Sequence, residues 1–311
     1  MFSYVHPQLR RSLLFNIISI MMFIATEARA DGPVGYSGEV GSLTNDYFGD
    51  GHDRWRTGSY QRSYLSDRFD TVGLGVIELR ARSEIITPWK PSEQPDGDAP
   101  FSTLLGFGGF MHGSLATIDL RLGAELLLLG DATGLENIQS IAHEIIGVET
   151  SFDDKRDEMP RGENGLSARA ELEVSKSIRF GTSSLARPYV GLKFGADESA
   201  TLGVDLVTGS LALADIWTRD AVTGRLITPQ ADRLSGVSVV GGWDMSQVER
   251  SVHIPSGSSA TIETFQTRAR LGVQFETGIA NLFIGQAWLS PQFKDQAEGQ
   301  RVGMLSVAFD F

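Results

Sequence analysis

The 311-residue chain predicts an all-β protein, a single antiparallel β-barrel that crosses a membrane. Three observations support this class. The N-terminal segment has the features of a secretory signal, no later apolar run reaches 18 residues, and apolar and polar residues alternate repeatedly along the rest of the chain. Because a chain without a spanning helix can cross a bilayer only as a closed barrel, the alternating segments are predicted to be its strands.

Residues 1–30 form the predicted signal peptide. Arg10 and Arg11 precede an apolar stretch over residues 13–25, and residues 28–30 (Ala-Arg-Ala) supply the small side chains that a signal peptidase requires. A membrane anchor is the alternative, but the stretch is short against the roughly 20 residues of a spanning helix. We therefore expect cleavage after export.

The mature chain, residues 31–311, is predicted to form one barrel domain without internal repeats. Removing the three Arg and one Glu of the signal from the formal net charge of −12 leaves −14. So acidic a surface argues against nucleic acid as a partner. The chain has no cysteine, which excludes a disulfide framework, a thiol nucleophile and a thiolate metal site.

Alternation is clearest at residues 166–175, where Leu, Ala and Val alternate with Ser, Arg and Glu. Such a segment presents one face to lipid and the other to the lumen. The last segment also alternates and ends on Phe311, as outer-membrane barrels commonly do, although the terminal strand of a soluble β-sandwich would look identical. At roughly 10 residues per tilted strand, the mature length suits about 10 to 14 strands. Weaker alternation recurs at residues 118–122, 190–194, 202–206 and 269–275.

One segment departs from the strand pattern. Residues 133–136 (Thr-Gly-Leu-Glu) have the spacing of a capping box, and Gly147 offers a stop. Between them, apolar residues recur at helical intervals, which predicts a short helix in an extracellular loop with His143 on a different face. These apolar residues are Ile138, Ile141, Ala142 and Ile145.

Two polar stretches carry candidate chemistry. Residues 45–48 (Asn-Asp-Tyr-Phe) run on to residues 53–58 (Asp-Arg-Trp-Arg-Thr-Gly), and residues 142–149 read Ala-His-Glu-Ile-Ile-Gly-Val-Glu. A histidine can accept a proton from water near neutral pH, and a carboxylate can orient its ring and stabilise the imidazolium. Oxygen ligands such as Asp46, the Asn45 amide and an oxygen of Thr57 suit calcium rather than zinc.

Taken in order, these stretches resemble the active site of the outer-membrane lipid A 3-O-deacylases, the LpxR-type lipid A-modifying barrels. That family has Asn-Asp at the end of the first strand, Asp-Arg followed by Thr and a small residue in the second, and a His-x-Ile-Ile-Gly-x-Glu segment. The resemblance continues through residues 86–88, 97–102 and 122–124. It implies a twelve-stranded barrel in the outer membrane of a Gram-negative bacterium. The barrel would act as a monomer, among outer-membrane lipids, on lipid A or lipopolysaccharide of the outer leaflet.

The resemblance also implies roles for individual residues. The reaction would be a calcium-dependent hydrolysis of the ester-linked acyl group at the 3-position of lipid A. His143 would be the general base and Glu149 its supporting carboxylate, with Glu149 as a metal ligand left open. Asn45 and Thr57 would shape the oxyanion region and, with Asp46, ligate the Ca²⁺ ion. The chain departs from the family in having fewer cations to bind lipid A phosphates, and Arg54, Arg56 and Lys90 are expected to substitute for them.

Alternatives remain at this stage. The chain can be an inactive structural or adhesive barrel, a porin-like channel whose charged inward faces line an open lumen, or a phospholipase that applies the same chemistry to glycerophospholipid esters. Taken singly, Asn-Asp can be an ordinary strand-end turn, Thr57 an ordinary strand residue, Lys90 a solvated loop residue and His143 a surface histidine.

Overall fold

The computed structural model describes residues 36–52, 54–66, 74–89, 97–137, 159–214, 216–228, 235–277 and 280–309. The predicted signal peptide and the terminal Phe311 lie outside these ranges. The described residues form one large antiparallel sheet that closes on itself, because the first strand pairs with the last. The predicted all-β barrel is therefore confirmed.

Each strand of the wall pairs with its neighbours in chain order. Because β6 and the short β7 pair with the same edge of β8, they count as one, and the barrel has twelve strands. The prediction of about twelve strands is confirmed. The strands are β1 (Tyr36–Asn45), β2 (Trp55–Ser66), β3 (Leu74–Thr87), β4 (Ser102–Leu115), β5 (Ile118–Leu129), β6 (Gly165–Ser175), β7 (Ile178–Phe180), β8 (Ser184–Gly195), β9 (Glu198–Gly209), β10 (Thr218–Arg219), β11 (Leu226–Ile227), β12 (Ser235–Arg250), β13 (Phe265–Thr277), β14 (Ala280–Leu289) and β15 (Gln300–Phe309).

Alternation along each strand separates an apolar outer surface from a charged interior. Phe107 is 60% exposed and Leu166 is 75% exposed, whereas Glu125, Arg169 and Glu171 on the same group of strands are buried. Apolar side chains that are exposed in this way are expected where the wall faces lipid. No helix in the described part of the chain is long and apolar enough to cross a membrane.

The interior is filled by ion pairs. Arg80 donates to Glu78 at 2.8 Å, and Arg187 donates to Glu173 at 2.9 Å. Burying a single charge is costly, so carboxylates and guanidiniums must enter the lumen together. The alternating Glu and Arg of the inward faces meet this requirement across neighbouring strands.

The connection between β9 and β12 enters the lumen and occupies its middle. Its short β10–β11 hairpin is anchored by Arg219, whose guanidinium contacts Glu173 and Asp205 at 2.9 Å each. Thr218 donates to Glu78 at 2.8 Å from the same hairpin. The described residues therefore plug the barrel at this level, which argues against the open lumen that a porin-like channel needs.

The two ends of the barrel differ. We call the end where β1 finishes, at Asn45, the upper end, and the opposite end the lower end. At the lower end, residues 116–117 form a tight turn. At the upper end, the β8–β9 connection at residues 196–197 is short, whereas the other connections are long. These upper loops cover residues 46–54, 88–101, 130–164, 251–264 and 290–299.

The predicted loop helix is described only at its start. A 3-10 turn over Gly130–Thr133 leads to Gly134, which has a left-handed φ of 68°, and residues 135–137 are helical. Thr133 caps this start, because its hydroxyl accepts a hydrogen bond from the Leu135 N–H at 3.2 Å. The remainder of the predicted helix, including His143 and Gly147, lies outside the described residues.

Replacing Asp205 should destabilise the barrel strongly. The fully buried carboxylate contacts Arg219 at 2.9 Å and Arg270 at 2.5 Å, so Asp205→Asn leaves two buried guanidiniums undercompensated. We expect a loss of about 3–5 kcal/mol in the free energy of unfolding. The measurement is urea unfolding in detergent micelles. The control Asp131→Asn removes a carboxylate that is 65% exposed and should cost no more than about 1 kcal/mol. Equal stability of the two variants would contradict the proposed dependence on lumen pairing.

Candidate functional site

The upper ends of β1 to β4 place four residues in one row across the outer wall. Asn45 lies opposite Gly58, Gly58 opposite Ile85, and Ile85 opposite Thr103. Adjacent residues on these strands face the lumen instead, as the hydrogen bond of Ser102 to the lumen-facing side chain of His253 shows. Because side chains alternate along a strand, the row faces outward. We call these four residues together with Thr57 the outer-wall site.

Asn45 presents an unsatisfied acceptor to this site. Its Nδ2 donates to the Thr57 carbonyl at 2.7 Å, which determines how the amide is oriented. The other amide atom, Oδ1, is buried and receives no hydrogen bond from any described residue. A buried carbonyl oxygen without a donor is costly, so this atom is suited to a cation or to a donor on a ligand.

Asp46 organises the loop that separates β1 from β2. It is fully buried, with Oδ1 accepting the Tyr47 N–H at 2.8 Å and Oδ2 accepting the Arg54 N–H at 2.6 Å. Its own carbonyl accepts from the N–H groups of Gly49 and Asp50. These bonds hold the loop between β1 and β2 around the Asp46 carboxylate and carbonyl.

Thr57 occupies a β-bulge. The pairing of β2 with β3 shifts register between Arg56 and Gly58, which makes Thr57 the extra residue. Its hydroxyl lies 2.5 Å from the Thr87 hydroxyl, and its carbonyl meets the Asn45 amide. Bulges are common next to functional sites, and this one presents the Thr57 carbonyl to Asn45 while the hydroxyl contacts Thr87.

Gly58 leaves a gap in the middle of the row, because it has no side chain. A Cβ at this position would lie 3.9 Å from the Thr44 carbonyl and 4.0 Å from Asn45 Nδ2, so the glycine is not demanded by crowding. Instead the missing side chain leaves a notch between Asn45 and Ile85. An extended apolar chain can lie in such a notch.

The structure brings together Asn45, Asp46 and Thr57 but separates them from Arg56. The Arg56 side chain points into the lumen, where Nη1 contacts Glu84 at 2.5 Å and Nε donates to Gln292 at 3.2 Å. The reason is the bulge, because it places Arg56 on the inward face of β2.

Arg54 is held within the loop packing. Its guanidinium donates to Glu298 at 2.8 Å and lies over the rings of Trp55 and Trp89, 4.4 and 4.7 Å from their centroids. The side chain is buried. These contacts give Arg54 a structural role beside the site.

His143, Glu149 and Lys90 lie outside the described residues. The loop that carries His143 and Glu149 nevertheless leaves and returns beside the outer-wall site. On leaving, Thr133 donates to the Thr103 hydroxyl at 2.9 Å, and on returning, Met159 packs against Phe101 and Ile85.

The two described ends of this loop are also tied to each other. Arg161 donates to both carboxylate oxygens of Glu136, at 3.0 and 3.1 Å, and its guanidinium lies over the Phe101 ring. Arg161 comes two residues after Met159, which forms an apolar cluster with Phe101 and Ile85. Sequence reasoning included Phe101 in the stretch of residues 97–102 but did not group it with Ile85 and Met159, which are far from it in sequence.

A second histidine was also missed. His253 lies on the lumen side of the wall, with Nδ1 2.9 Å from the Ser102 hydroxyl and Nε2 3.2 Å from Glu84. Burial, with Arg56 close by, lowers the pKa of His253 well below its ordinary value, so the ring is neutral. Nε2 then donates to Glu84, and Nδ1 accepts from Ser102. Sequence spacing does not reveal this series of hydrogen bonds, because Ser102 and His253 are far apart in sequence.

Comparison with solved structures shows what fold this is similar to. LpxR from Salmonella typhimurium superposes with a TM-score of 0.73 at 18% identity, covering 88% of this chain and 100% of that one. The COG4313 outer membrane channel from Pseudomonas putida F1 gives 0.46 at 12% identity (91% and 99% covered), and KdgM porin gives 0.42 at 7% (88% and 99%). The last two scores are too low for any argument to depend on them. No family model and no curated protein matches the sequence. The likeness to LpxR shows the fold, an LpxR-like outer-membrane barrel.

Removing the Asp46 carboxylate should release the loop that follows it. In Asp46→Ala the buried N–H groups of Tyr47 and Arg54 lose their acceptors, and the bonds lost are to a charged group. We expect amide hydrogen exchange in this loop to accelerate by roughly tenfold or more. Mass spectrometry of exchanged peptides measures it. Asp50→Ala, which removes an acceptor for the exposed His52 N–H, is the control and should change exchange little. Unaltered protection in Asp46→Ala would refute the organising role.

Proposed function

We propose that this chain is an outer-membrane esterase that removes the 3-O-linked acyl chain of lipid A. The observation that carries the proposal is the buried, unsatisfied Asn45 Oδ1 on the outer wall. At the other end of the same row of residues, Thr103 contacts Thr133, from which the chain leads to His143 and Glu149. The LpxR-like fold and the ordered motifs that resemble the lipid A 3-O-deacylases support it.

The position of the outer-wall site suits a lipid substrate. Long loops of outer-membrane barrels lie outside the cell and short turns lie in the periplasm, so the upper end is the extracellular one. A site on the outer surface near this end is reached sideways from the outer leaflet, where lipopolysaccharide resides. The apolar residues Ile85, Phe101 and Met159 beside the notch at Gly58 offer a surface for the acyl chain.

The chemistry assigned to the chain's own residues is hydrolysis by an activated water. The water oxygen attacks the ester carbonyl while His143 accepts a proton from that water. His143 later gives a proton to the departing 3-hydroxyl oxygen. Glu149 orients the imidazole and stabilises its charged form. Asn45 and Thr57 position the carbonyl group at the notch, with the bulge at Thr57 holding the two side chains in place.

The donor set at the site fits a calcium ion. Asn45 Oδ1 is a buried oxygen without a partner, Asp46 supplies negative charge, and Thr57 supplies hydroxyl and carbonyl oxygens, all of them hard ligands. In the described ranges no three His, Asp or Glu side chains gather as a metal cluster, so amide and backbone oxygens belong in the proposed set. A bound calcium ion would supply positive charge where the carbonyl oxygen becomes negative.

Two of the three cations first expected to contact lipid A phosphates are engaged elsewhere. Arg56 faces the lumen and Arg54 is enclosed by tryptophans and Glu298, so neither reaches the outer-wall site as the structure stands. Lys90 remains a proposed phosphate contact. The same chemistry serves a phospholipase, so substrate assays must include glycerophospholipid vesicles alongside lipid A.

Replacing His143 by Gln should slow deacylation by roughly 10²- to 10⁴-fold, because a side chain of similar polarity remains but the base is lost. Glu149→Gln should cost less, since that residue supports the imidazole without exchanging a proton with water. The assay is mass spectrometry of 3-linked acyl chains released from lipid A. His52→Gln, which changes a histidine that is 56% exposed at the same end, is the control and should retain activity.

The difference in gel mobility between unheated and boiled samples verifies that each variant folds as the wild type does. A wild-type rate in folded His143→Gln would leave the barrel intact and remove the catalytic proposal.

Calcium should both stabilise the protein and be required for activity. We expect a gain of about 2.7 kcal/mol in unfolding free energy at a hundredfold excess over Kd, from preferential binding to the folded state. Asn45→Ala should abolish this gain and the activity. Asn281→Ala is a matched control, because Asn281 is likewise buried with an unsatisfied Oδ1 but lies at the lower end. Full activity in excess chelator would rule out the metal.

A further inference from the structure

A polar cavity of about 140 Å³ lies in the upper lumen. Ala221 and Val222 of the plugging connection form part of its lining, together with side chains of the barrel wall. The cavity is on the opposite side of the wall from Asn45, and the proposed esterase chemistry makes no use of it.

Cationic side chains outnumber carboxylates in the lining of this cavity, and each arginine among them is paired with a carboxylate. Five cationic side chains but only two carboxylates line it, and both carboxylates are engaged: Glu84 with Arg56 at 2.5 Å, and Asp197 with Arg169 at 2.6 Å. His253 also lines the cavity and is neutral. The five cations are Arg56, Arg169, Lys193, Arg250 and Arg268.

Lys193 is the cation that lacks a partner. It faces the lumen from β8, opposite Glu171 of β6, but the Glu171 carboxylate is held by Arg121 and Arg169 at 2.9 Å each. Within the described part of the chain, no carboxylate forms an ion pair with the Lys193 ammonium. Lys193 lines the cavity, where a counter-charge would be strongly favoured over none.

Small hydroxyl side chains surround the ammonium. Ser199 lies opposite Lys193 on β9, and Thr201 lies opposite Gly191, with its hydroxyl 2.8 Å from that of Ser246 on β12. Lower in the lumen the corresponding positions carry Asp205 and Asp244, whose arginine partners fill the space. Thus the cavity exists because serine and threonine replace the large ion pairs, and their hydroxyls can donate to an anion.

We propose that this cavity binds an oxyanion the size of a phosphate group. Lys193 supplies the main charge, Arg56 contributes further positive charge, and Ser199, Thr201 and Ser246 donate hydrogen bonds. A cavity of this volume is close to those that hold a benzene-sized molecule, so a phosphate and a few waters fit. The oxyanion is either a free ion or the phosphate of a sugar.

The test is calorimetric titration of the full-length protein in detergent micelles, in chloride buffer, with two probes. Inorganic phosphate represents the free ion and glucosamine 1-phosphate represents a phosphorylated sugar. Wild type should bind at least one of them, and Lys193→Gln should bind at least about tenfold more weakly, because a charge-assisted bond is lost. Binding of both probes identifies a site for the free ion. Binding of glucosamine 1-phosphate alone identifies a site for a phosphorylated sugar.

Two further variants serve as controls for the Lys193→Gln result. Lys294→Gln removes an exposed upper-loop lysine outside the cavity and should bind like wild type, while Lys193→Arg retains a cation and should preserve most of the affinity. Heat-dependent gel mobility verifies the fold of each variant. The proposal is overturned if wild type binds neither probe, or if folded Lys193→Gln binds as tightly as wild type.

Discussion

The pairing of buried carboxylates with guanidiniums across the lumen is the constraint on which the rest of the structure depends. A closed barrel satisfies the backbone hydrogen bonds within the wall, but the inward faces carry charges that cannot be buried singly. Glu78, Glu173, Asp205 and Asp244 each meet at least one arginine. Because these partners come from different strands and from the plugging hairpin, they bind opposite sides of the barrel to each other.

The filled lumen is one reason why the proposed function is assigned to the outer surface. With Arg219 and Thr218 bonded to the wall at mid-height, the middle of the barrel is occupied by protein, whereas the row from Asn45 to Thr103 lies on the side that lipid reaches. The rigid wall then positions the site. Its precision comes from the bulge at Thr57 and from the buried Asp46 carboxylate, both of which act on backbone groups.

The apolar surface beside the outer-wall site follows from contacts that sequence motifs do not show. Ile85, Phe101 and Met159 cluster because a strand end and the returning loop meet there, and nothing in the sequence groups these three residues. Trp55 adopts a φ of 55°, unusual for a residue other than glycine, and is held there by its indole bond to Asp98 at 3.1 Å. Local strain of this kind persists only when surrounding contacts impose it.

The sequence by itself determined the all-β barrel and its approximate strand number, because alternation has a period of two and the bilayer sets strand length. The resemblance to the lipid A 3-O-deacylases grouped Asn45, Asp46 and Thr57, and the pairing of β1 with β2 brings them together. Tertiary structure alone decided that Arg56 faces the lumen, because a one-residue bulge reverses which side a strand residue faces and composition does not reveal it. It likewise decided the Ser102–His253–Glu84 chain and the unpaired Lys193, because both depend on contacts between strands far apart in sequence.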